Sequence, residues 1–401
     1  GAALTAFGLS GMLGCMNMRN TEGRHGAGGG SRLPLRVLVS AGALMVSLLV
    51  AEVVLRVLDL PRFSAGHEET RRFMLTDERV DGMPVYLNYP GRITFTYADN
   101  PRGYFDSRNA LHHEVNAAGF RGREFGVKSP STSRIAFLGD SFTFGEGVRL
   151  EHTYPEVTAR ALRGEACNLG VGGYNTTQAV KLLKLIGLGL APDAVVLGYV
   201  PNDAEPPLFD LDPATGQPVR RNREADIEAE GSPQRPPATT LCRLRVAQLV
   251  WRAWNGARLT RQTEAHYLSL YADGSEGWRE SERALRELMG LCRENGIPCV
   301  VVMFPILHAL SDRHPFAGIH HQVCAVVRAE GGHFVDLLPA LKGTRASEFW
   351  VHATDQHPNE RVHAIAGELV AEALRAVLGS SRQQSKAADR DRVETVPREP
   401  R

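Results

Sequence analysis

Residues Phe137-Leu138-Gly139-Asp140-Ser141-Phe142-Thr143-Phe144-Gly145 decide the reading of this chain, because they close the short apolar run Arg134 to Leu138 with a turn that carries a hydroxyl. A run of that length bounded by turn residues predicts a buried strand. A serine just past the carboxyl end of a parallel strand lies where open α/β sheets bind ligands. Taken alone, Gly-Asp-Ser suits an ordinary turn or a helix N-cap equally well. It is not the G-x-S-x-G elbow, since Thr143 stands where that motif needs its second glycine.

From residue 134 onward, short apolar runs alternate with helical stretches, the pattern of a parallel sheet flanked by helices. The expected strands are Arg134 to Leu138, Ala166 to Leu169, Ala194 to Val200, Pro298 to Phe304 and His333 to Leu337. Helices are expected near 155–164, 176–189, 241–256, 276–295, 316–330 and 359–378.

Three more blocks fall at the ends of these elements. Asn168-Leu169-Gly170-Val171-Gly172-Gly173-Tyr174-Asn175-Thr176-Thr177 follows the second strand, and its glycines let backbone N–H groups approach a ligand closely. It lacks the lysine and spacing of a P-loop, and a dinucleotide fingerprint would need to follow the first strand. Asn175-Thr176-Thr177 is also a glycosylation sequon, although its place in such a loop argues for coincidence. Leu197-Gly198-Tyr199-Val200-Pro201-Asn202-Asp203 closes the third strand, where an Asn amide can donate to a developing oxyanion or simply cap a turn. Ala353-Thr354-Asp355-Gln356-His357-Pro358-Asn359 precedes the last helix. Its Asp can turn back to the imidazole Nδ1, leaving Nε2 free to take a serine proton. Each block has a bland reading as a cap or turn; their joint order is what gives them chemical weight.

With these blocks in order over about residues 131–378, the chain resembles the SGNH or GDSL family of serine esterases and acyl hydrolases. The resemblance implies a three-layer α/β/α fold with a flavodoxin-like central parallel sheet of about five strands. It implies Ser141 as nucleophile, His357 as general base and Asp355 as its orienting acid, with no metal and no cofactor. It further implies an oxyanion hole made by the N–H of Ser141, the N–H of Gly173 and the side chain of Asn202. One departure bears on Asp355: the usual final block is D-x-x-H, whereas only Gln356 separates Asp355 from His357, and Thr354 stands at the expected place. Some relatives use the shorter spacing. The segment Val115-Asn116-Ala117-Ala118-Gly119-Phe120-Arg121, behind an apolar N-terminal run, also resembles a bacterial membrane-anchored branch of that family.

Three functions fit this reading. The first is an esterase acting on an O-acyl, most simply O-acetyl, group of an envelope glycan or lipid. The second is an O-acyltransferase, in which an acceptor alcohol on an exported polysaccharide replaces water. The third is a catalytically idle binding protein, against which the joint presence of Ser141, Asn202 and His357 argues. A Ser141 Oγ more than about 5 Å from His357 Nε2 would weaken both enzyme readings, because proton transfer needs about hydrogen-bond reach.

Upstream, residues 37–51 carry no charge, and apolar character resumes after Glu52 through Leu58. That makes roughly 20 residues of spanning helix, with Arg36 and Arg56 able to reach the interfaces. A cleaved signal peptide fits less well, because Leu49-Val50-Ala51 lacks a small residue three before the cut. A buried soluble helix is disfavoured by the Gly-rich composition of 1–34, which offers little to cover it. Arg19, Arg24, Arg32 and Arg36 place the N-terminal side in the cytoplasm and the rest outside, in the periplasm or beyond the cell. The expected organisation is a cytoplasmic Gly/Arg-rich segment (1–34), a transmembrane signal anchor (35–58), a small pre-domain with short strands (60–130) and the hydrolase domain (131–378). Within the last, 204–240 holds seven prolines and many charges and reads as a lid or a disordered insert. Residues 379–401 hold ten charges of both signs and read as a disordered, solvated tail.

The 401 residues are 43% apolar and 23% charged with a net charge of +1, which excludes disorder throughout and the basic footprint of a nucleic-acid binder. The six cysteines are too few for a disulfide scaffold, although Cys292 and Cys299 could pair. His112 with His113, His320 with His321, and His308 with His314 lack metal-ligand spacing and read as surface or capping residues. Trp251 and Trp254 read as core.

Overall fold

A computed structural model of the protein describes residues 32–61, 66–80, 83–207, 209–211, 218–220 and 243–394. The chain divides into two units, one ending at Leu60 and the other running from Pro61. The first contains helix α1 (Arg32–Val57). Its Leu35–Val57 stretch of 23 residues is long and apolar enough to cross a membrane. Length and composition of that kind suit an anchor and a signal sequence alike.

In the second unit, five parallel strands form the central sheet: β1 (Arg134–Leu138), β2 (Glu165–Asn168), β3 (Ala194–Tyr199), β4 (Cys299–Met303) and β5 (His333–Asp336). Their order is β2-β1-β3-β4-β5, with Phe137 opposite Asn168 on one side and Val196 on the other. The chain leaves β1 toward β2 and then returns past it to β3. The carboxyl ends of β1 and β3 therefore flank the point where strand order reverses, which is where such sheets open a crevice for ligands.

Alternation along the strands builds two cores. Ile135 and Phe137 of β1, Val196 of β3 and Val300 of β4 pack with Tyr154 of α3 (Tyr154–Leu162) and with Val362, Ala366 and Val370 of α8 (Glu360–Glu394). Ala136, Leu138, Leu197 and Val301 face the other way, against α4 (Thr176–Leu182), α6 (Glu276–Glu294) and α7 (Ala317–Ala329). Helices on both faces make the three-layer α/β/α sandwich, and strands buried on both sides explain the unbroken apolar runs.

Several boundaries differ from expectation. The helix expected over 241–256 runs from Arg245 to Leu270 (α5), and Trp254 on it is 58% exposed, against Arg258, instead of buried in a core. The stretch 176–189 breaks at Leu182 into a wide turn over Leu183–Gly187 and a tight one over Leu188–Leu190. Helix α8 continues to Glu394 through the first part of the segment read as a disordered tail. Most of the 204–240 insert lies outside the described residues, except the short antiparallel pair Phe209–Leu211 and Pro218–Arg220. Cys292 and Cys299 are free thiols instead of a bridge.

The segment 60–130 is not a body of its own. Its strands Glu68–Glu69, Gly91–Thr96 and Ala110–Val115 form an antiparallel sheet, and Phe73–Val80 pairs with Met83–Asn88. Ile93, Phe95, Leu111 and Val115 share one core with Phe144, Val148 and Val351, while Tyr86, Leu87 and Phe120 join the core beneath α4. An antiparallel sheet commonly buries one face, and Phe144, Val148 and Val351 help to cover it here.

Candidate active site

The turn after β1 is built from local constraints. Gly139 has φ +143°, and a Cβ there would lie 2.3 Å from Thr143 Oγ1 and 2.7 Å from the Gly198 carbonyl. Only glycine fits. The Asp140 carboxylate caps helix α2 (Ser141–Phe144) by accepting from the Phe142 N–H at 2.9 Å. Left-handed Gly145 closes the helix, its N–H donating to the Ser141 carbonyl at 2.9 Å. Buried Arg121, from the segment after Val115, donates to the carbonyls of Phe144 and Gly145 and so pins the chain behind the serine.

The last block arrives on a hairpin, Trp350–His352 with Asp355–Pro358. His357 Nε2 lies 2.8 Å from Ser141 Oγ, and His357 Nδ1 lies 2.6 Å from Asp355 Oδ1. The same Asp355 oxygen also accepts from the His357 backbone N–H at 3.1 Å, a contact that the single intervening residue makes possible. Burial alone would raise the Asp355 carboxyl, but the adjacent imidazole, with His67 and a Tyr97 hydrogen bond adding, holds it well below the usual range. Asn359 keeps its capping role: its Oδ1 accepts from the Arg361 N–H at 3.1 Å, and its Nδ2 donates to the Glu348 carbonyl at 2.8 Å.

The glycine block and the Asn block converge on the same turn. The Asn168 amide donates to the Thr143 carbonyl at 2.9 Å, and the Val171 N–H donates to the Gly139 carbonyl at 3.1 Å, fastening that loop to the serine turn. A Cβ on Gly170 would lie 2.4 Å from the Phe144 nitrogen, which is how closely the two backbones approach. Gly173 has φ +80° at the loop's crest. Asn202 Nδ2 donates to Asp140 Oδ2 at 3.2 Å. An amide nitrogen carries two hydrogens, so that bond orients the group while leaving a second donor. Burial pushes the Asp140 carboxyl up to about 6 against the hydrogen bonds from Phe142 and Asn202. Asp203 turns inward, accepting from the Val200 N–H at 2.7 Å and from Thr176 Oγ1 at 2.8 Å.

Residues that no motif singles out also reach this place. Tyr97, next after the strand Gly91–Thr96, donates its hydroxyl to Asp355 Oδ2 at 2.7 Å, and burial raises the phenol well above its usual range. Glu146 Oε2 lies 3.6 Å from His357 Nε2, and its Oε1 is ion-paired with Arg71 Nη2 at 2.5 Å. The alternation of Arg92 to Tyr97 announces a strand, but nothing in it announces a partner more than 250 residues away.

Other expectations find structural places. Asn175 of the sequon is buried, with Oδ1 and N–H locked in a capping box with Gln178. His113 accepts from the Gly147 N–H at 3.3 Å, and His320 pairs with Asp336 at 2.8 Å. A cavity of about 410 Å³ lined by Thr70, Arg72, Tyr89 and Arg92 lies apart from the four blocks.

The GDSL-like lipase/acylhydrolase family matches residues 137–365, more than half of the chain and all four blocks. The chain belongs to that family. This GDSL-like acylhydrolase is an ester-hydrolysing enzyme. A search of the curated proteins found no match. Among solved structures it is similar to a GDSL-like lipase from Bacteroides thetaiotaomicron, at 12% identity and TM-score 0.37 over 63% of this chain and 92% of that one. It is also similar to a psychrotrophic esterase from a Pseudoalteromonas species, at 11% identity and TM-score 0.36 over 62% and 99%. A two-domain esterase active on acetylated mannans matches at 14% identity and TM-score 0.34 over 62% and 49%. The family assignment rests on the matched residues, not on these likenesses.

Proposed function

We propose that this GDSL-like acylhydrolase is a membrane-anchored serine esterase that removes an O-acyl group, most simply O-acetyl, from an envelope glycan or lipid. The carrying observation is the unbroken run from Ser141 Oγ through His357 to Asp355, at 2.8 and 2.6 Å. In this reading His357 Nε2 takes the Ser141 proton as Oγ attacks the ester carbonyl, and Asp355 holds the ring with Nδ1–H toward itself. The N–H groups of Ser141 and Gly173 and the second Asn202 hydrogen stabilise the oxyanion. One such donor is worth about a hundred- to a thousandfold in rate. His357 then returns the proton to the leaving alcohol, and water releases the acyl group by the reverse path. Helix Leu35–Val57 serves as anchor, with the domain from Pro61 on the outer side of the membrane.

The test is turnover by the full chain in detergent, with p-nitrophenyl acetate and an acetylated oligosaccharide as substrates. Release of acetate that Ser141→Ala abolishes supports the reading, whereas turnover unaffected by that substitution contradicts it. Turnover that appears only when an acceptor sugar is added replaces hydrolysis with acyl transfer.

A further inference from the structure

Glu146 brings a carboxylate oxygen to 3.6 Å from the substrate-side nitrogen of His357. It is the second residue after helix α2, and its N–H donates to the Ser141 carbonyl at 3.1 Å, so it moves with the serine turn. Its side chain is 7% exposed, with Oε2 lying 3.6 Å from His357 Nε2 and Oε1 ion-paired to Arg71 at 2.5 Å. Arg71 is itself nearly buried, its guanidinium within 5.0 Å of the Phe144 ring centre and 5.4 Å of Phe95. A Cβ on Gly172 would run into it, so the cation abuts the loop that carries Gly173. Neither residue belongs to the Ser141, His357 and Asp355 set, and burying two charges in one cleft is costly unless they are paired.

We propose that Glu146, tethered by Arg71, is a positioning residue that sets the proton affinity of His357 from the Nε2 side. This deepens the reading of His357 as general base and rests on it. A carboxylate at that distance stabilises the imidazolium formed when Ser141 gives up its proton. Left unopposed, it would also hold the ring protonated and silence the base near neutral pH. Arg71 supplies the opposing charge, so the pair acts as a preset dipole instead of a bare anion. Other charged or titratable groups around the ring, among the described residues, include Asp355 on its own hairpin, Asp140 from the serine turn, Glu69 from the N-terminal sheet and His363 on α8. His67 acts on Asp355 and on Glu69, and Tyr97 acts through Asp355. Burial lowers His363 to about 3, so it stays neutral near physiological pH. Arg71 is paired with Glu146 at 2.5 Å and also with Glu69 at 3.7 Å, so removing the cation leaves both carboxylates unopposed while Glu146→Gln removes one of them, and the two changes predict opposite signs.

The test follows the His357 ring directly, by NMR titration of histidine-labelled full chain in detergent, with the signal assigned through His357→Gln. Glu146→Gln, which keeps shape and removes charge, lowers the titration midpoint by about 1 pH unit, and Arg71→Met raises it by a similar amount. Arg71→Lys keeps it near wild type, which separates charge from packing. The acid limb of p-nitrophenyl acetate hydrolysis moves in the same two directions. Midpoints that stay put, or move together in both variants, overturn the proposal. Midpoints that move while the acid limb does not overturn its catalytic part, because the limb then reports another group. Since the NMR reading needs no turnover, an inactive wild-type chain would refute the esterase reading and still leave the charge coupling measured.

Discussion

At the scale of single residues, the reactive geometry depends on a bond from outside the four sequence blocks. In the proposed mechanism Asp355 orients His357 through one oxygen, and its second oxygen accepts from Tyr97 at 2.7 Å. A hydrogen bond to a buried charged group contributes about 1.5–3 kcal/mol. Tyr97→Phe should therefore lower kcat/KM about tenfold or more with little change in KM, as steady-state kinetics would measure. Unchanged kcat/KM would remove Tyr97 from the account. Asp355 has a short tether to its histidine, and its backbone contact at 3.1 Å shows how a D-x-H spacing closes without the extra residue.

At the scale of elements, the turn after β1 is the rigid part. Gly139→Ala places a methyl against Thr143 Oγ1 and the Gly198 carbonyl in a conformation L-residues avoid. Strain of that kind costs about 1–3 kcal/mol before the clash is counted. Thermal unfolding should show a lower Tm together with lost activity, and a silent substitution would contradict the tight packing of β1 on β3. The elements that place Ser141, Gly173, Asn202 and His357 were legible because each block sits at a strand end with a turn residue that few other structures require. The strand β1 was read to the residue, Arg134–Leu138. What was not legible is the segment 60–130, whose strands are short and half-covered and whose partners lie far along the chain. Period alone carries no information about a Tyr97 to Asp355 contact across 258 positions. Helix α5 was read short because its pattern is only weakly amphipathic, with Leu249, Val250 and Trp254 turned outward.

At the scale of the whole molecule, two consequences follow. If helix Leu35–Val57 is an anchor, the chain made in bacteria should sediment with membranes at full mass, while deletion of residues 1–58 should release it to the soluble fraction. A shortened, soluble product from the full chain would instead identify a cleaved signal. The second consequence concerns acid. Burial lowers His363 to about 3 and His314 to about 4, so both are neutral when folded, whereas an unfolded histidine takes up a proton below about 6.5. Their contribution is therefore complete above about pH 6.5 and lost as pH falls toward their folded values, while that of Asp355 is lost only in stronger acid. The Asp140 carboxyl, raised to about 6, acts in the opposite sense over the same range, so the readout is a difference between variants: from about pH 7 to about pH 4.5 the urea midpoint of His363→Gln should lose less than that of wild type. An equal change in wild type and His363→Gln would contradict the burial of that ring.

The central claim is that Ser141 is an activated nucleophile. Its most direct measurement is fluorophosphonate labelling of the full chain, with the adduct located by peptide mass, in wild type, Ser141→Ala and His357→Ala. The account predicts one adduct on Ser141 in wild type, none in Ser141→Ala and at least about a hundredfold slower labelling in His357→Ala. A folded wild-type chain that takes no label, or an adduct on another residue that survives Ser141→Ala, would contradict it.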